Sequence, residues 1–322
     1  MGHGKLKKFS ENETFACLLQ PASGEVLDRQ AGEFWSPLNL KDHPMKGHWN
    51  EKMFHGRNCP IVLELGCGKG EYTTSLAERN PDVNYIGVDI KGARLWKGAK
   101  YATETGLPNV AFLRTRIEFI EAFFAPGEIS EIWLTFSDPQ MKSENSRLTS
   151  PMFLERYRRF LKPGGIIHLK TDSTFLYEYT KAVCEANSLH VLASTSDLYG
   201  VSDGNGDATS GHESLYSSEF SSVCGKAAVD ALFEVQTFYE QNFLSQGFKI
   251  NYTAFTIDHE GPYTYPEFDA VYWRAAEAPR FLPGHCAHPA PGSGEQVYGS
   301  TQCMRMPLRS MPRNQVICRL AN

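Results

Sequence analysis

The stretch that decides the fold runs from Ile61 to Gly70 and reads Ile-Val-Leu-Glu-Leu-Gly-Cys-Gly-Lys-Gly. A short apolar run, closed by glycines and followed by a helical pattern at 71–79, predicts a buried strand, a tight turn and a helix. The alternation continues, and it predicts strands at 84–89, 110–113, 131–136 and 166–170 and helices at 93–105, 117–124 and 152–161. Strands alternating with helices of about ten residues indicate βαβ units and a parallel sheet.

The segments after residue 170 are more varied. Two β-rich segments, 190–194 and 249–257, are expected to close the sheet as an antiparallel edge. Between them, 200–225 is dense in Ser, Gly and Asp and predicts a flexible insertion, because it lacks the apolar area that offsets the entropy of ordering. Residues 231–246 have helical spacing. Phe238, Tyr239 and Phe243 could be part of that helix's core or a platform on which bases stack, and we favour the core.

We therefore expect an N-terminal arm (1–55), an α/β domain (56–257) and a poorly structured C-terminal extension (258–322), whose residues after 275 are rich in Pro and Gly. Hydrophobic residues make up 41% and charged residues 21% of the 322, as in globular proteins. The chain has no apolar run long enough to span a membrane and no apolar region behind its basic start, so we expect a cytoplasmic protein.

The cysteines and the charged residues indicate which kinds of site and partner to expect. The eight cysteines are dispersed without a CxxC pair, which argues against a zinc ribbon or a disulfide framework. His285, Cys286 and His288 are potential ligands in a Pro- and Gly-rich tail, and we predict no metal site there. The net charge is −5, yet basic residues cluster at 91–116 and 142–162, where they suit a partner that carries phosphates.

The glycine turn carries the first chemical information. Gly66, Gly68 and Gly70 have the spacing G-x-G-x-G. This differs from the fingerprints of dinucleotide-binding sites and of P-loops, so neither an NAD site nor a P-loop is favoured. Glu64, two residues before the first glycine, suits a ligand with an amino group or another cation. Asp89 ends the next predicted strand, where its carboxylate can accept both hydroxyls of a ribose. Together these features fit an adenosine-type ligand with a cationic amino-acid end, which is S-adenosylmethionine.

Two more acidic residues follow predicted strands. Asp138 comes after the strand at 131–136, within Phe136-Ser-Asp-Pro139, and Asp172 comes after the strand at 166–170. Ligands of open α/β sheets bind outside the carboxyl ends of the strands, so both should face the same cleft as Glu64 and Asp89.

Several motifs resemble those of the bacterial tRNA (guanine-N7)-methyltransferases. They are Glu-Leu-Gly-Cys-Gly-Lys-Gly at 64–70, Ile-Gly-Val-Asp at 86–89, Phe-Ser-Asp-Pro at 136–139, His-Leu-Lys-Thr-Asp at 168–172, Thr-Phe-Tyr-Glu at 237–240 and Met-Lys-Gly-His-Trp-Asn at 45–50. The resemblance covers about residues 5–257, interrupted by the insertion. It implies a Rossmann-like methyltransferase fold that uses S-adenosylmethionine, with a mostly parallel seven-stranded sheet and helices on both faces.

The resemblance also implies roles for individual residues. The cofactor would be surrounded by Glu64, Gly66, Gly68, Asp89, Arg116 and Asp138. The tRNA or its target guanine would be held by Lys142, Asp172, Thr237 and Glu240. Asp138 would be the catalytic residue, and we hypothesise that it accepts hydrogen bonds from the guanine.

The chain departs from the family pattern at two places. Residue 116 is normally acidic and placed to bind adenine, but it is Arg116 here, with Glu118 nearby. The family's Trp-Pro-Lys-Lys-Arg-His after Ser-Asp-Pro is here Gln-Met-Lys-Ser-Glu-Asn at 140–145, which retains Lys142, with Arg147 as the next cation.

The activity implied is methylation of N7 of a variable-loop guanosine in tRNA, by a monomer or a homodimer. One alternative is a methyltransferase for another RNA or a small molecule. A second is a non-catalytic RNA-binding relative, motivated by Arg116 and the thinner basic loop.

Overall fold

A computed structural model describes residues 3–27, 39–200 and 215–277. Its described strands form one sheet with the order β1-β4-β3-β2-β5-β6-β8-β7. The strands are β1 (Leu18–Leu19), β2 (Ile61–Leu65), β3 (Asn84–Asp89), β4 (Val110–Arg114), β5 (Ile129–Thr135), β6 (Leu161–Thr171), β7 (Val191–Thr195) and β8 (Asn251–Thr256). β1 to β6 pair in parallel, and β7 and β8 form the antiparallel edge. The predicted parallel sheet with an antiparallel closure is confirmed.

Helices cover both faces of this sheet, as predicted. They are α1 (His3–Asn12), α2 (Ser23–Val26), α3 (Glu71–Arg79), α4 (Gly92–Thr105), α5 (Pro151–Tyr157), α6 (Thr174–Ala186), α7 (Glu219–Cys224), α8 (Lys226–Glu234), α9 (Phe238–Ser245) and α10 (Ala270–Glu277). A π-helical turn spans Trp49–Met53, and 3₁₀ turns span Ile117–Ala122 and Glu144–Ser146.

The pleat of β2 shows how the sequence divides the core. Ile61, Leu63 and Leu65 pack with residues of α5 and α6 in one apolar cluster. Val62 points to the opposite face and packs with residues of α3 and α4 in a second cluster. All five residues of β2 are buried. The continuous apolar run that predicted this strand therefore reflects a central strand covered on both faces.

The strand count differs from the predicted seven. The eighth strand is β1, which lies in the predicted N-terminal arm and pairs with β4 through Leu18 and Phe112. Two residues are too short a run to show strand periodicity, so the sequence pattern missed it. The arm also contributes the fully buried Trp49, whose indole Nε1 donates to the carbonyl of Phe123 at 2.8 Å. Much of the arm is thus part of the packed domain.

The prediction of one helix over 231–246 was wrong, because two helices occupy this stretch. α8 ends at Glu234 and α9 begins at Phe238, with Thr237 as its N-cap. The Thr237 hydroxyl accepts the Glu240 N–H, and the Glu240 carboxylate accepts the Thr237 N–H, which forms a capping box. This local signal starts a new helix at Phe238 and overrides the continuous helical spacing.

The predicted boundaries of the insertion and the extension also differ from the structure. Residues 201–214 lie outside the described residues, but α7 and its flanks occupy 215–225. The chain after residue 257 remains packed through α10, where buried Glu277 accepts the Phe175 N–H at 2.6 Å. Residues 278–322, including His285, Cys286 and His288, lie outside the described residues. Within the described ranges, no helix combines the length and apolarity needed to span a bilayer.

Candidate active site

The carboxyl ends of β2 to β6 form one edge of the sheet, which we call the rim. The glycine turn after β2 opens the rim, and its three glycines have φ of +80°, +58° and +71°. Such left-handed angles are available to glycine at little cost. A Cβ on Gly70 would lie 2.5 Å from the Phe112 ring, whereas a Cβ on Gly66 or Gly68 would meet nothing within 4 Å. The first two glycines therefore border open space, and the third permits close packing of helix and sheet.

Glu64 lies beneath this turn rather than at its surface. Its carboxylate accepts hydrogen bonds from the Thr73 N–H at 2.9 Å and from the hydroxyls of Thr73 and Thr135. Burial raises the pKa of Glu64 to about 7, although the hydrogen bonds from Thr135 and Thr73 oppose that shift. Glu64 thus ties the start of α3 to the end of β5, and only one-twentieth of its surface is exposed.

Asp89 lies beside the open glycines, at the end of β3. Its Oδ2 accepts the Gly68 N–H at 3.1 Å, and its Oδ1 accepts the Lys91 N–H at 2.7 Å. Each carboxylate oxygen can accept a second hydrogen bond, so Asp89 retains capacity for ligand hydroxyls. Open space over Gly66 and Gly68 beside this carboxylate fits S-adenosylmethionine, with its ribose at Asp89 and its amino-acid end toward the glycine turn.

Arg116 follows β4 on the same rim. Its guanidinium pairs with Glu118 at 3.1 Å and lies over the Phe119 ring, and about half of its side chain is exposed. The acid that the family places at position 116 is therefore replaced by a cation whose charge is partly balanced by Glu118. No carboxylate at position 116 can bind an adenine here, but Glu118 stands two residues away.

Asp138 lies in a turn that directly follows β5. The turn begins at Phe136, a non-glycine residue with φ of +49°, whose N–H donates to the carbonyl of Lys170. Asp138 is exposed, and its Oδ1 accepts the Gln140 N–H at 2.9 Å. The neighbouring Ser137 hydroxyl is buried and has no hydrogen-bond partner within the described part of the chain. A sparsely populated backbone conformation and an unsatisfied polar atom therefore occur together in this turn.

Glu64, Asp89 and Asp138 lie in or after neighbouring strands of the sheet. These strands are β2, β3 and β5, and the Thr135 hydroxyl at the end of β5 donates to the Glu64 carboxylate. Asp172 follows β6, the next strand along, and is half-buried. That the carboxylates face one cleft, and the role of each, stay predictions.

The basic residues after Asp138 divide into two groups. Lys142 is exposed in the loop that follows the turn. Arg147, by contrast, is only 3% exposed and lies over the rings of Tyr179 and Phe175, at 4.2 and 4.7 Å. Arg147 therefore holds the loop against α6, and the expectation that it presents charge to a phosphate is not met in this structure. Lys142 is the cation that the loop presents to solvent.

Glu240 is fully buried, in contrast to the direct substrate contact that the resemblance implies. Its carboxylate lies 2.7 Å from the Lys170 ammonium, which is equally buried, and it accepts a hydrogen bond from the Tyr199 hydroxyl. Burial lowers the pKa of Lys170, and the charge of Glu240 opposes that shift. The pair connects the end of β6 to the first turn of α9, so Glu240 positions the Thr237–Glu240 segment at the rim.

Phe238 and Tyr239 lie on the outside of the same segment. They are 61% and 51% exposed, so the interpretation of these residues as helix core was wrong. Phe243, on the next turn, is half-buried and packs on Phe136. The pattern of aromatic residues gave no sign of this division, because helical spacing alone does not say which face of a helix is covered.

A cavity of about 680 Å³ lies away from the rim, along α5. Its lining includes three cations and three carboxylates, which are Lys46, Arg156, Arg159, Asp42, Glu121 and Glu155. Lys46 pairs with Asp42 at 2.6 Å, and both arginines pair with Glu121. Because its charges balance one another, this cavity has little attraction for an anionic ligand. Among the described residues, no group of three potential ligands could hold a metal ion.

A mostly parallel sheet with an open glycine turn after one strand and an acid at the end of the neighbouring strand is the architecture of the S-adenosylmethionine-dependent methyltransferases, and we assign the chain to that class. A family model described as "Putative methyltransferase" matches residues 58–204. This span includes the glycine turn and Asp138, and it ends before Thr237.

Curated relatives narrow the class to a family. A tRNA (guanine-N(7)-)-methyltransferase of Bacteroides thetaiotaomicron is 45% identical over 269 residues, which cover 84% of this chain and 92% of that protein. An enzyme with the same name from Christiangramia forsetii is 44% identical over 79% of this chain and 97% of that protein. Another, from Porphyromonas gingivalis, is 47% identical over 66% of this chain and 78% of that protein. The chain belongs to the tRNA (guanine-N(7)-)-methyltransferase family.

Proposed function

We propose that this protein transfers the methyl group of S-adenosylmethionine to N7 of a guanosine in tRNA, in the variable loop. The observation that carries the proposal is the exposed Asp138 carboxylate, which lies in the turn that follows β5, and β5 is the neighbour of β2, the strand that leads into the glycine turn. The family relationship supports the same chemistry. The alternatives, another methyl acceptor or a non-catalytic RNA-binding relative, have no comparable support.

The target atom explains why the rim needs no strong general base. N7 of guanine carries a lone pair and no proton, so nothing must be removed before it attacks a carbon. When bound, S-adenosylmethionine supplies an electrophilic methyl group on a sulfonium centre. The protein's contribution is then to hold the acceptor atom in line with that methyl group, and such positioning can account for a large part of a rate enhancement.

Asp138 is suited to hold the guanine. Its Oδ1 already accepts the Gln140 N–H, which fixes the carboxylate and leaves the second oxygen open. The Watson–Crick edge of guanine presents N–H donors, which a carboxylate accepts in charge-assisted hydrogen bonds. The base must leave its stack for this edge to be reached, as in other enzymes that modify bases.

Phosphates of the tRNA would be bound by exposed cations near the rim. Lys142 is one, and the basic stretch at 91–116 supplies others on α4. Lys97 and Lys100 on that helix are already paired with Glu71 and Glu104 at the surface, where such pairs are weak and exchange readily. Binding that depends on phosphate contacts weakens as salt rises. We place the reaction in the cytoplasm, with a monomer or a homodimer as the active form.

The proposal is tested by incubating the full chain with an unmodified tRNA transcript and methyl-labelled cofactor. Digestion to nucleosides should place the label in 7-methylguanosine. Asp138→Ala should reduce the rate roughly 10²- to 10⁴-fold, because two hydrogen bonds to a charged group contribute about 3 to 6 kcal/mol. Asp138→Asn, which keeps one acceptor oxygen, should be intermediate. Label in another nucleoside, or full activity of Asp138→Ala, would contradict the proposal.

A further inference from the structure

Residues 258–277, which we call the C-terminal strap, run from the end of the sheet to the end of α10. The strap is held at both of its ends. Near its start, the Asp258 carboxylate accepts the Gly164 N–H at 3.0 Å. At its end, the buried Glu277 carboxylate accepts the Phe175 N–H in the first turn of α6. A stretch that is anchored in this way can hold other parts of the chain in place.

The middle of the strap lies against the loop at 139–147, which follows Asp138 and carries Lys142. We call it the Lys142 loop. The Tyr265 hydroxyl donates to the side-chain oxygen of Asn145 at 2.7 Å. This hydrogen bond joins side chains that are 120 positions apart in the chain, so it fixes the loop from outside and is not part of the loop's own turns.

Phe268 completes an aromatic box around the Arg147 guanidinium, at the end of the Lys142 loop. The guanidinium carbon lies 4.2 and 4.7 Å from the ring centroids of Tyr179 and Phe175 on α6, and 6.0 Å from that of Phe268. Phe268 meets both α6 rings edge to face, at 5.3 and 5.4 Å. The ion pair described for Arg147, with Glu144, is long at 3.8 Å. This buried cation therefore depends on ring faces, and the strap supplies one of them.

Consecutive turns connect the strap contacts to Asp138. The Ser146 N–H donates to the Ser143 carbonyl at 3.2 Å, and the Ser143 N–H donates to the Gln140 carbonyl at 3.1 Å. The Gln140 N–H in turn donates to the Oδ1 of Asp138 at 2.9 Å. Because each turn shares a residue with the next, a displacement at the strap end of the loop is passed on to the carboxylate.

We propose that Tyr265 and Phe268 are positioning residues for the methyl transfer, because they fix the Lys142 loop and, through it, the Asp138 carboxylate. This inference rests on the proposed function, and it gives a part in the reaction to a stretch of chain that lies outside the rim. A reaction without a general base depends on placement, and a displacement of about 1 Å far from the reacting atoms can lower a rate on the order of a hundredfold.

Two tyrosines of the strap provide a matched pair of variants. Tyr265→Phe removes a hydroxyl that contacts the loop, whereas Tyr263→Phe removes a buried hydroxyl that donates to the Ile257 carbonyl. We expect Tyr265→Phe to unfold near the wild-type temperature but to transfer methyl groups roughly two- to tenfold more slowly in single turnovers at saturating tRNA transcript and cofactor. Tyr263→Phe should unfold at a lower temperature and react at the wild-type rate. The reverse result, or a wild-type rate for Tyr265→Phe, would overturn the proposal.

Variants of Phe268 test the aromatic contact. Phe268→Leu keeps apolar bulk without a ring, and it should slow the single-turnover reaction about two- to thirtyfold, the range of one cation–π contact. Phe268→Tyr keeps the ring and should restore the rate. Calorimetric affinity for S-adenosylmethionine should match that of the wild type in both variants. If Phe268→Tyr is as slow as Phe268→Leu, the ring face does not position the loop, and the proposal fails for this residue.

A double variant isolates the Tyr265 contact from other effects of the substitution. In an Asn145→Ala background the acceptor of the hydrogen bond is absent, so Tyr265→Phe should cause no further loss of rate. Losses that multiply in the double variant would show that the Tyr265 hydroxyl acts elsewhere, and they would contradict the proposed positioning role.

Hydrogen exchange separates a failure of this inference from a failure of the proposed function, since it needs neither tRNA nor cofactor. The amides at 139–147 should exchange faster in Tyr265→Phe and Phe268→Leu than in the wild type and Tyr263→Phe. Unchanged exchange in the first two variants would overturn the positioning role and leave the methylation proposal intact. If the wild type forms no 7-methylguanosine, the proposed function fails, and nucleoside analysis reports this without any variant.

Discussion

The two halves of the rim use their side chains in opposite ways. On the cofactor half, Glu64 and Asp89 are buried, and their oxygens accept hydrogen bonds from the protein's own backbone and hydroxyls. On the substrate half, Asp138, Phe238 and Tyr239 project outward and make few contacts. This difference is what the proposed function requires, because a small cofactor suits a preformed site, whereas a large RNA must be met by side chains that reach into solvent.

The buried Lys170–Glu240 pair anchors the substrate half and should have the largest effect on stability. Glu240→Gln leaves the Lys170 ammonium buried without a counter-charge, which costs about 3 to 5 kcal/mol in a buried pair. We expect urea unfolding to show that loss. The double variant Lys170→Met, Glu240→Met removes both charges, so it should be more stable than Glu240→Gln. A Glu240→Gln protein as stable as the wild type would show that the pair does not hold the segment.

Glu64 should have the next largest effect on the free energy of unfolding, and that effect depends on pH. Burial raises its pKa from 4.5 to about 7 in the folded chain, so between those values the folded state binds more protons than the unfolded state. The free energy of unfolding should therefore fall as pH rises from about 4.5 to 7, by on the order of 3 kcal/mol. Unfolding of wild type and Glu64→Gln across this range measures it, since only the wild type has this contribution.

The ionisation of Glu64 also provides a test of cofactor binding. A cationic amino group near Glu64 would favour its ionised form and lower its pKa. S-adenosylmethionine should then bind more tightly at pH 8 than at pH 6, and binding should release a proton. Calorimetry in buffers with different ionisation enthalpies detects that release. If Glu64→Gln retains the same pH dependence, the carboxylate does not face the amino group.

Substitution of Arg116 should have the smallest effect, and we expect that effect on cofactor affinity. The Arg116 side chain is about half exposed and pairs with Glu118 at the surface, where such pairs contribute up to about 1 kcal/mol. Arg116→Asp restores the acid of the family pattern, and we expect cofactor affinity to rise by no more than about fivefold. A loss of affinity in calorimetry would indicate that the Arg116 guanidinium, rather than an acid, contacts the cofactor.

The sequence predicted the cofactor half better than the substrate half. The glycine turn and Asp89 are read from residues next to each other in the chain, and parallel strands must bring their carboxyl ends to one edge. The placement of Asp138 after β5, the neighbour of the strand that holds Glu64, follows from the same rule, without any knowledge of side-chain contacts.

The features that escaped prediction depend on contacts between distant residues. Lys170 and Glu240 are seventy positions apart, and nothing in either local pattern shows that both are buried together. The exposure of Phe238 was missed because it depends on which face of α9 the rest of the chain covers. α10 lies in a stretch that composition placed in a poorly structured extension, yet tertiary contacts such as that of Glu277 with α6 hold it in place.

The division of the rim is tested most directly by comparing Asp89→Ala with Asp138→Ala. For each, calorimetry gives the affinity for S-adenosylmethionine, and a single-turnover reaction at saturating cofactor and tRNA gives the rate of methyl transfer to guanosine. We expect Asp89→Ala to weaken cofactor binding and to recover most of its rate at saturation. We expect Asp138→Ala to bind the cofactor like the wild type and to remain slow. If both variants lose cofactor affinity to the same extent, or Asp138→Ala transfers methyl groups at the wild-type rate, the division is contradicted.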